Sequence, residues 1–220
     1  MKLLREVIRK IILAESAMGP SDLPPGIFIR FYGDSEVAEF EFVKKPLDAA
    51  DTEISKKDYV PSGVSDGARG SIQIYRTGEE KVGPCRDAWM VSWAGTTEGF
   101  GPMLYDLAME YATENGGGLI ADRGTVSRDA RKVWDFYLAG RSGDGGDVEA
   151  LQLDDVNNSL TQDIEEDNCD QEVAGGSNWM YPTNPNRINP NWPKSALSKI
   201  YKKSPSSMTK TLRDLKRLIE

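Results

Sequence analysis

The residues with the clearest chemical potential form one short run, Thr96-Thr97-Glu98-Gly99-Phe100-Gly101, followed at once by Pro102. Glycines at two of these positions let the backbone turn with positive φ and approach a ligand closely. Proline suits the first turn of a helix, where its missing N–H costs nothing. A helix that starts there presents unpaired N–H groups and the positive end of its dipole. The combination is an anion site suited to a pyrophosphate. Glu98 would have to point away from such a ligand. The sequence holds no histidine, so a general base must be a carboxylate or a relayed water. Asp122, with Arg123 beside it, is the candidate carboxylate; the plainer reading of the two is a solvated ion pair.

The elements that must position these residues can be read from Ala88 to Gly140. Ala88 to Ala94 is an apolar run fit for a buried strand. Met103, Leu104, Leu107, Ala108, Tyr111 and Ala112 recur at helical spacing, and Asn115 with Gly116-Gly117-Gly118 ends that helix. Tyr105 and Tyr111 read as half-buried helix residues. Leu119-Ile120-Ala121 begins a second strand. Ser127 is a good N-cap for a second helix whose apolar face is Ala130, Val133, Trp134, Tyr137 and Leu138.

This order of strand, glycine loop, helix, strand and helix resembles the acyl-CoA core of the GNAT superfamily of N-acetyltransferases. In that family a strand leads into Gln/Arg-x-x-Gly-x-Gly/Ala and then a helix; Thr96-x-x-Gly99-Phe100-Gly101 fills the pattern here. Ser127 to Trp134 stands in the register of the family's Asn-x-x-Ala-x-x-Leu-Tyr. The resemblance implies a mixed α/β fold with a mostly antiparallel sheet around this core, and acetyl-CoA as cofactor. It implies that splayed central strands hold the pantetheine arm and that a backbone N–H among Trp93, Ala94 and Gly95 polarises the thioester. Thr96, Thr97, Gly99, Phe100 and Gly101 would cradle the pyrophosphate. Tyr137 would be the acid for the departing thiolate and Asp122, or a water, the base for an amine acceptor. The sequence departs from the pattern twice: Thr96 replaces Gln or Arg, and Trp134 stands where the family often has its tyrosine. The wording GFGPMLYDLAMEYA and ADRGTVSRDARKVWDFYL also resembles the small acetyltransferase-like proteins of tailed bacteriophages. Two readings follow: an N-acetyltransferase, or a protein of a virion or other assembly that keeps the fold without the chemistry.

Composition bounds both readings. The 220 residues suit one domain with appendages, or two small domains, and 39% of them are hydrophobic. A formal net charge of −8 argues against general nucleic-acid binding. No run approaches a membrane span, and Arg9 and Lys10 interrupt the N-terminal apolar stretch, which is unlike a secretory signal. With the bacteriophage resemblance, this implies a host cytoplasm or a virion as the expected location. Without histidine, Cys85 and Cys169 do not make a zinc site, and they read as ordinary thiols of a reducing compartment.

The remaining segments divide as residues 1–26, 27–156, 157–193 and 194–220. Residues 1–17 form an amphipathic helix, through Leu4, Val7, Ile8, Ile11 and Ile12, that docks on its own domain, on another chain or, as the least favoured reading, on a membrane surface. Leu13-Ala14-Glu15 matches the short sites cut by some phage prohead proteases, so a cleaved leader is one further reading. Ile27 to Tyr32 and Val37 to Val43 alternate around Gly33-Asp34 and form a hairpin. Residues 44–70 read as a long surface loop with a helical turn near 49–55. Ser71 to Tyr75 is a strand, 78–83 a turn, and Val148 to Leu153 a further strand. Residues 154–178 are acidic and 178–193 rich in Pro and Asn. The tail from Lys194 carries eight Lys or Arg against Asp214 and Glu220. Its expected helices run through Ala196, Leu197, Ile200 and Tyr201, and through Met208, Leu212, Leu215 and Leu218. Partners would be other chains met through the N-terminal helix and this tail.

Overall fold

A computed structural model describes residues 23–44, 60–61, 70–77, 85–97, 99–122, 126–141, 146–153, 194–204 and 218–219. The fold is mixed α/β with mostly antiparallel strand pairing. The chain separates into two compact units. The boundary passes through one strand, β5 (Trp89–Thr96), and one helix, α1 (Gly101–Glu114).

The first unit comprises residues 1–75, 92–110 and 208–220. Its centre is the hairpin of β1 (Ile27–Gly33) and β2 (Val37–Lys44), paired antiparallel with Ile29 opposite Phe42 and Phe31 opposite Phe40. The turn closes as an Asx motif. Asp34 accepts from the N–H groups of Glu36 and Val37 at 2.8 Å each and donates its own N–H to Val37 O. These two donors hold the Asp34 carboxyl below its ordinary range. On the other side of β2 runs β4 (Gly70–Arg76), with Ala38 opposite Ile74 and Phe40 opposite Ile72. Alternation sends Ile27, Ile29, Ala38, Phe40, Phe42, Ile72 and Ile74 into the core.

Two short strands in this unit correct sequence expectations. Val60–Pro61, inside the stretch read as a loop, is β3 and pairs with the end of β2. Leu218, expected on a helix, lies in β9 (Leu218–Ile219), which runs parallel to β1.

The second unit comprises residues 76–91 and 111–207. The start of β5 pairs in parallel with β6 (Leu119–Ile120), Trp89 opposite Leu119 and Met90 opposite Ile120. Next to β6 is β8 (Lys199–Lys203), and outside it β7 (Val148–Gln152), both contacts antiparallel. The expected helix through Ala196 and Tyr201 is therefore corrected. Only Ala196–Ser198 makes a single 3₁₀ turn, and Ile200 and Tyr201 belong to the strand. The reason is that both faces of β8 are covered. Ile200 packs with Cys85, Ala88, Ile120 and Leu153, while the Tyr201 ring meets Trp134 at 5.1 Å. Consecutive buried residues on a strand flanked on both sides outweigh the helical spacing of an isolated six-residue run.

Cys85 corrects a second expectation. It is buried and disulfide-bonded rather than a thiol; Cys169 lies outside the described residues. So do the N-terminal helix of residues 1–17 with its leader site, the turn at 78–83, the helical turn near 49–55, Arg123, the acidic and Pro/Asn-rich segments 154–193 and the helix expected through Met208, Leu212 and Leu215. Among the described residues, no helix is long and apolar enough to cross a membrane.

Candidate functional site: the end of β5 and the glycine turn

β5 begins as expected, with Trp89 and Val91 buried, but it does not stay buried. Beyond the two residues paired with β6 it runs on for six more. Ser92 turns outward and donates its hydroxyl to Gln73 Oε1 at 2.9 Å, beside β4. Trp93 is 54% exposed, although the apolar run predicts burial. Its ring lies along Gly95, where an added Cβ would come within 3.0 Å of it.

The backbone at Gly95 and Thr96 is approached closely by β4. Gly70 has φ +125°, and a Cβ there would fall 2.0 Å from the Gly95 carbonyl oxygen and 2.5 Å from Thr96 Cα. Only glycine fits this crossing, because both obstructing atoms are main chain. The position of the strand end is thus fixed from its neighbour.

The loop then turns through Gly99 at φ +90°. Phe100 anchors it: the side chain is buried and meets the Phe42 ring edge-on at 5.6 Å. Its N–H donates to Thr97 O at 3.2 Å, and its carbonyl accepts from Leu104 N at 3.3 Å, the first helical bond. Gly101 opens α1 with Pro102 next, as the sequence predicts. The N–H groups of Gly101 and Met103 precede that first donor, Leu104 N, and no acidic residue stands in the first turn. The helix dipole by itself favours an anion at this end; Glu98 in the loop lies outside the described residues.

α1 is buried more completely than its apolar stripe requires. Tyr105 and Met109 join Met103, Leu104, Leu107, Ala108 and Ala112 in the interior. Burial pushes the Tyr105 phenol well above its ordinary range. That residue was expected to be half-buried and is instead part of the core.

The other two candidates belong to the second unit. Asp122 follows β6 by two residues and is partly exposed. Tyr137 follows α2 (Arg128–Phe136), whose N-cap is Ser127, accepting from Ala130 N at 3.1 Å as predicted. The helix does not continue regularly: Tyr137–Arg141 is a π-helical turn. The wider turn brings Phe136 inside as well, a residue that the 3.6-residue periodicity leaves off the apolar face. Tyr137 is fully buried, with the Phe136 ring at 5.4 Å, the Tyr201 ring at 6.3 Å and the Arg141 guanidinium 5.3 Å from its centroid. Trp134 is buried against Tyr201. Tyr201 donates its hydroxyl to Ala196 O at 2.8 Å, and burial, then the Asp135 charge, keep its phenol far above the usual range.

Trp93, Ala94, Gly95, Thr96, Thr97, Gly99, Phe100 and Gly101 are thus held in one continuous stretch of the first unit, while Asp122 and Tyr137 stand in the second. Sequence reasoning missed a charged cluster in that second unit. Arg141 Nε donates to Asp147 Oδ1 at 2.7 Å, its Nη2 contacts Oδ2, and Lys203 Nζ donates to Oδ2 at 3.1 Å. The separation of 56 residues between Asp147 and Lys203 left no local signal. Among the described residues no three Cys, Asp or Glu side chains gather as metal ligands.

No family model matches this sequence, and no curated protein or solved structure matches it either.

Proposed function

We propose that this chain is a GNAT-like acyl-CoA-binding protein that transfers an acetyl group to an amine. The observation that carries the reading is the turn at Gly99, which feeds a helix whose first turn is free of carboxylates. A pyrophosphate there would accept from main-chain N–H groups and gain from the helix dipole. The run of β5 beyond its short parallel pairing leaves a strand end, Ser92–Thr96, suited to hydrogen-bonding a pantetheine arm. An N–H among Trp93, Ala94 and Gly95 would polarise the acyl carbonyl. Trp93 would then present an exposed aromatic wall beside the cofactor. Acetyl-CoA, when bound, supplies the activated acyl group; a relayed water would take the proton of the amine.

One observation favours a second reading, a GNAT-fold structural or interaction protein of a tailed-phage virion or other assembly. Tyr137 and Trp134 are both packed inside the second unit. A phenol in that setting must be uncovered before it can protonate a leaving thiolate, so binding without turnover is the corresponding outcome.

Isothermal titration with acetyl-CoA and with CoA tests both. Micromolar binding that is lost in a Gly99→Glu, Gly101→Glu double variant supports the cofactor site. Acetylation of an amine panel then separates enzyme from binder. A folded wild-type protein that binds neither ligand sinks the proposal.

A further inference from the structure

The β1–β2 hairpin carries a hollow of about 200 Å³ lined, among the described residues, by Arg30, Phe31, Tyr32, Glu39 and Glu41. The register explains its composition. Tyr32 stands opposite Glu39 and Arg30 opposite Glu41, so the alternation that buries Ile29, Phe40 and Phe42 turns these four side chains the other way. Arg30 and Glu41 are ion-paired with each other. Glu39 is different: among the described residues its carboxylate enters no ion pair or side-chain hydrogen bond. Beside it the Tyr32 side chain is 61% exposed and likewise makes no such bond.

We propose that this hollow receives one basic side chain from a partner protein. Three features point the same way. Among the described residues the lining carries two carboxylates and one guanidinium, an excess of one negative charge that a single cation complements. An accessible phenol ring next to the unpaired carboxylate offers a cation–π face to the same group. The volume equals about six or seven waters and is below the roughly 300 Å³ at which pockets for drug-sized ligands begin, so it suits a side chain better than a whole small molecule. The chain's net charge of −8 attracts basic surfaces over a longer range. The proposal is independent of acyl-CoA binding, since none of its residues belongs to the Trp93–Gly101 stretch.

The test is an NMR titration of the ¹⁵N-labelled full chain with three capped tripeptides, acetyl-Gly-Xaa-Gly-amide, in which Xaa is lysine, arginine or norleucine. The lysine or arginine peptide is expected to shift the amides of Arg30 to Tyr32 and Glu39 to Glu41 with millimolar affinity, and norleucine to leave them unmoved. Glu39→Gln should weaken the cationic peptide at least fivefold and Tyr32→Leu severalfold. Raising salt from 50 to 500 mM should weaken it further, as expected for an exposed pair. Tyr32 is exposed and Glu39 partly exposed, and an unchanged far-UV spectrum certifies the folding of both variants. No shift with either cationic peptide, equal shifts with norleucine, or full affinity in Glu39→Gln would each overturn the proposal.

Discussion

Replacing Asp147 by Asn tests how the second unit is held together. Asp147 receives two contacts from Arg141 and one, at 3.1 Å, from Lys203, whose side chain is only 2% exposed. Burial alone would raise the Asp147 pKa, but the Arg141 hydrogen bonds and the Lys203 and Arg141 charges outweigh it and bring it from 3.8 to about 2. A folded-state value below the unfolded one means stability that is full above about pH 4 and is lost as pH falls through about 2. The difference corresponds to roughly 2.4 kcal/mol at 1.36 kcal/mol per pH unit. Because the carboxylate is 34% exposed, water screens part of this, and about 1–2 kcal/mol is the working figure. Removing the carboxylate that faces a buried ammonium adds a desolvation cost, so Asp147→Asn should lose about 2–3 kcal/mol at pH 7. Between pH 7 and pH 3 about half of the wild-type linkage disappears, and the gap between the proteins should narrow by about 0.5–1 kcal/mol. Urea denaturation at both pH values, with m held equal, gives the comparison. A gap under about 0.5 kcal/mol at pH 7, or one that is constant with pH, would refute the reasoning.

Three further substitutions probe the framework. Gly70→Ala places a methyl group 2.0 Å from the Gly95 oxygen at a φ of +125°; a loss of about 3 kcal/mol or more is expected in urea melts, and an unchanged midpoint would mean that β4 and the end of β5 do not cross this closely. Ser127→Ala removes the cap on Ala130 N and should cost about 1 kcal/mol, read by thermal melting. Tyr201→Phe leaves Ala196 O without its buried donor and should cost about 1–2 kcal/mol, with the near-UV signal of the Trp134 contact retained.

What was legible in the sequence was local. The hairpin from Ile27 to Lys44 follows from alternation on either side of Gly33-Asp34, and the structure adds only the Asx bonds that close the turn. The Ser127 cap, the Gly101-Pro102 helix start and the β7 strand are local as well. β8 was not. Ala196, Leu197, Ile200 and Tyr201 fit one helical face as well as they fit a strand, and six residues cannot separate the two periods. The decision came from β6 and β7, whose residues lie far away along the chain. Trp93 failed for a related reason. Trp89 is buried and Met90 partly buried where β5 has its parallel neighbour, and three residues after that pairing ends the equally apolar Trp93 faces solvent.

The same division runs through the candidate site. An anion cradle built from a strand end, a glycine turn and a helix start occupies some ten consecutive residues, so residue types and spacing suffice to point to it. A proton donor and a base do not have that property, because catalysis requires only that they converge in space. Tyr137 illustrates the difficulty. Counting along a regular helix places it on the apolar face, but the π-helical turn that begins at this residue, together with the rings of Phe136 and Tyr201, determines whether its hydroxyl is available. The residue that reads as the best acid in the sequence is thus the one whose chemistry depends most on packing. For that reason the titration with acetyl-CoA and the amine screen probe separate properties: the first asks about ten contiguous residues, and the second asks whether a buried phenol can be brought to a substrate.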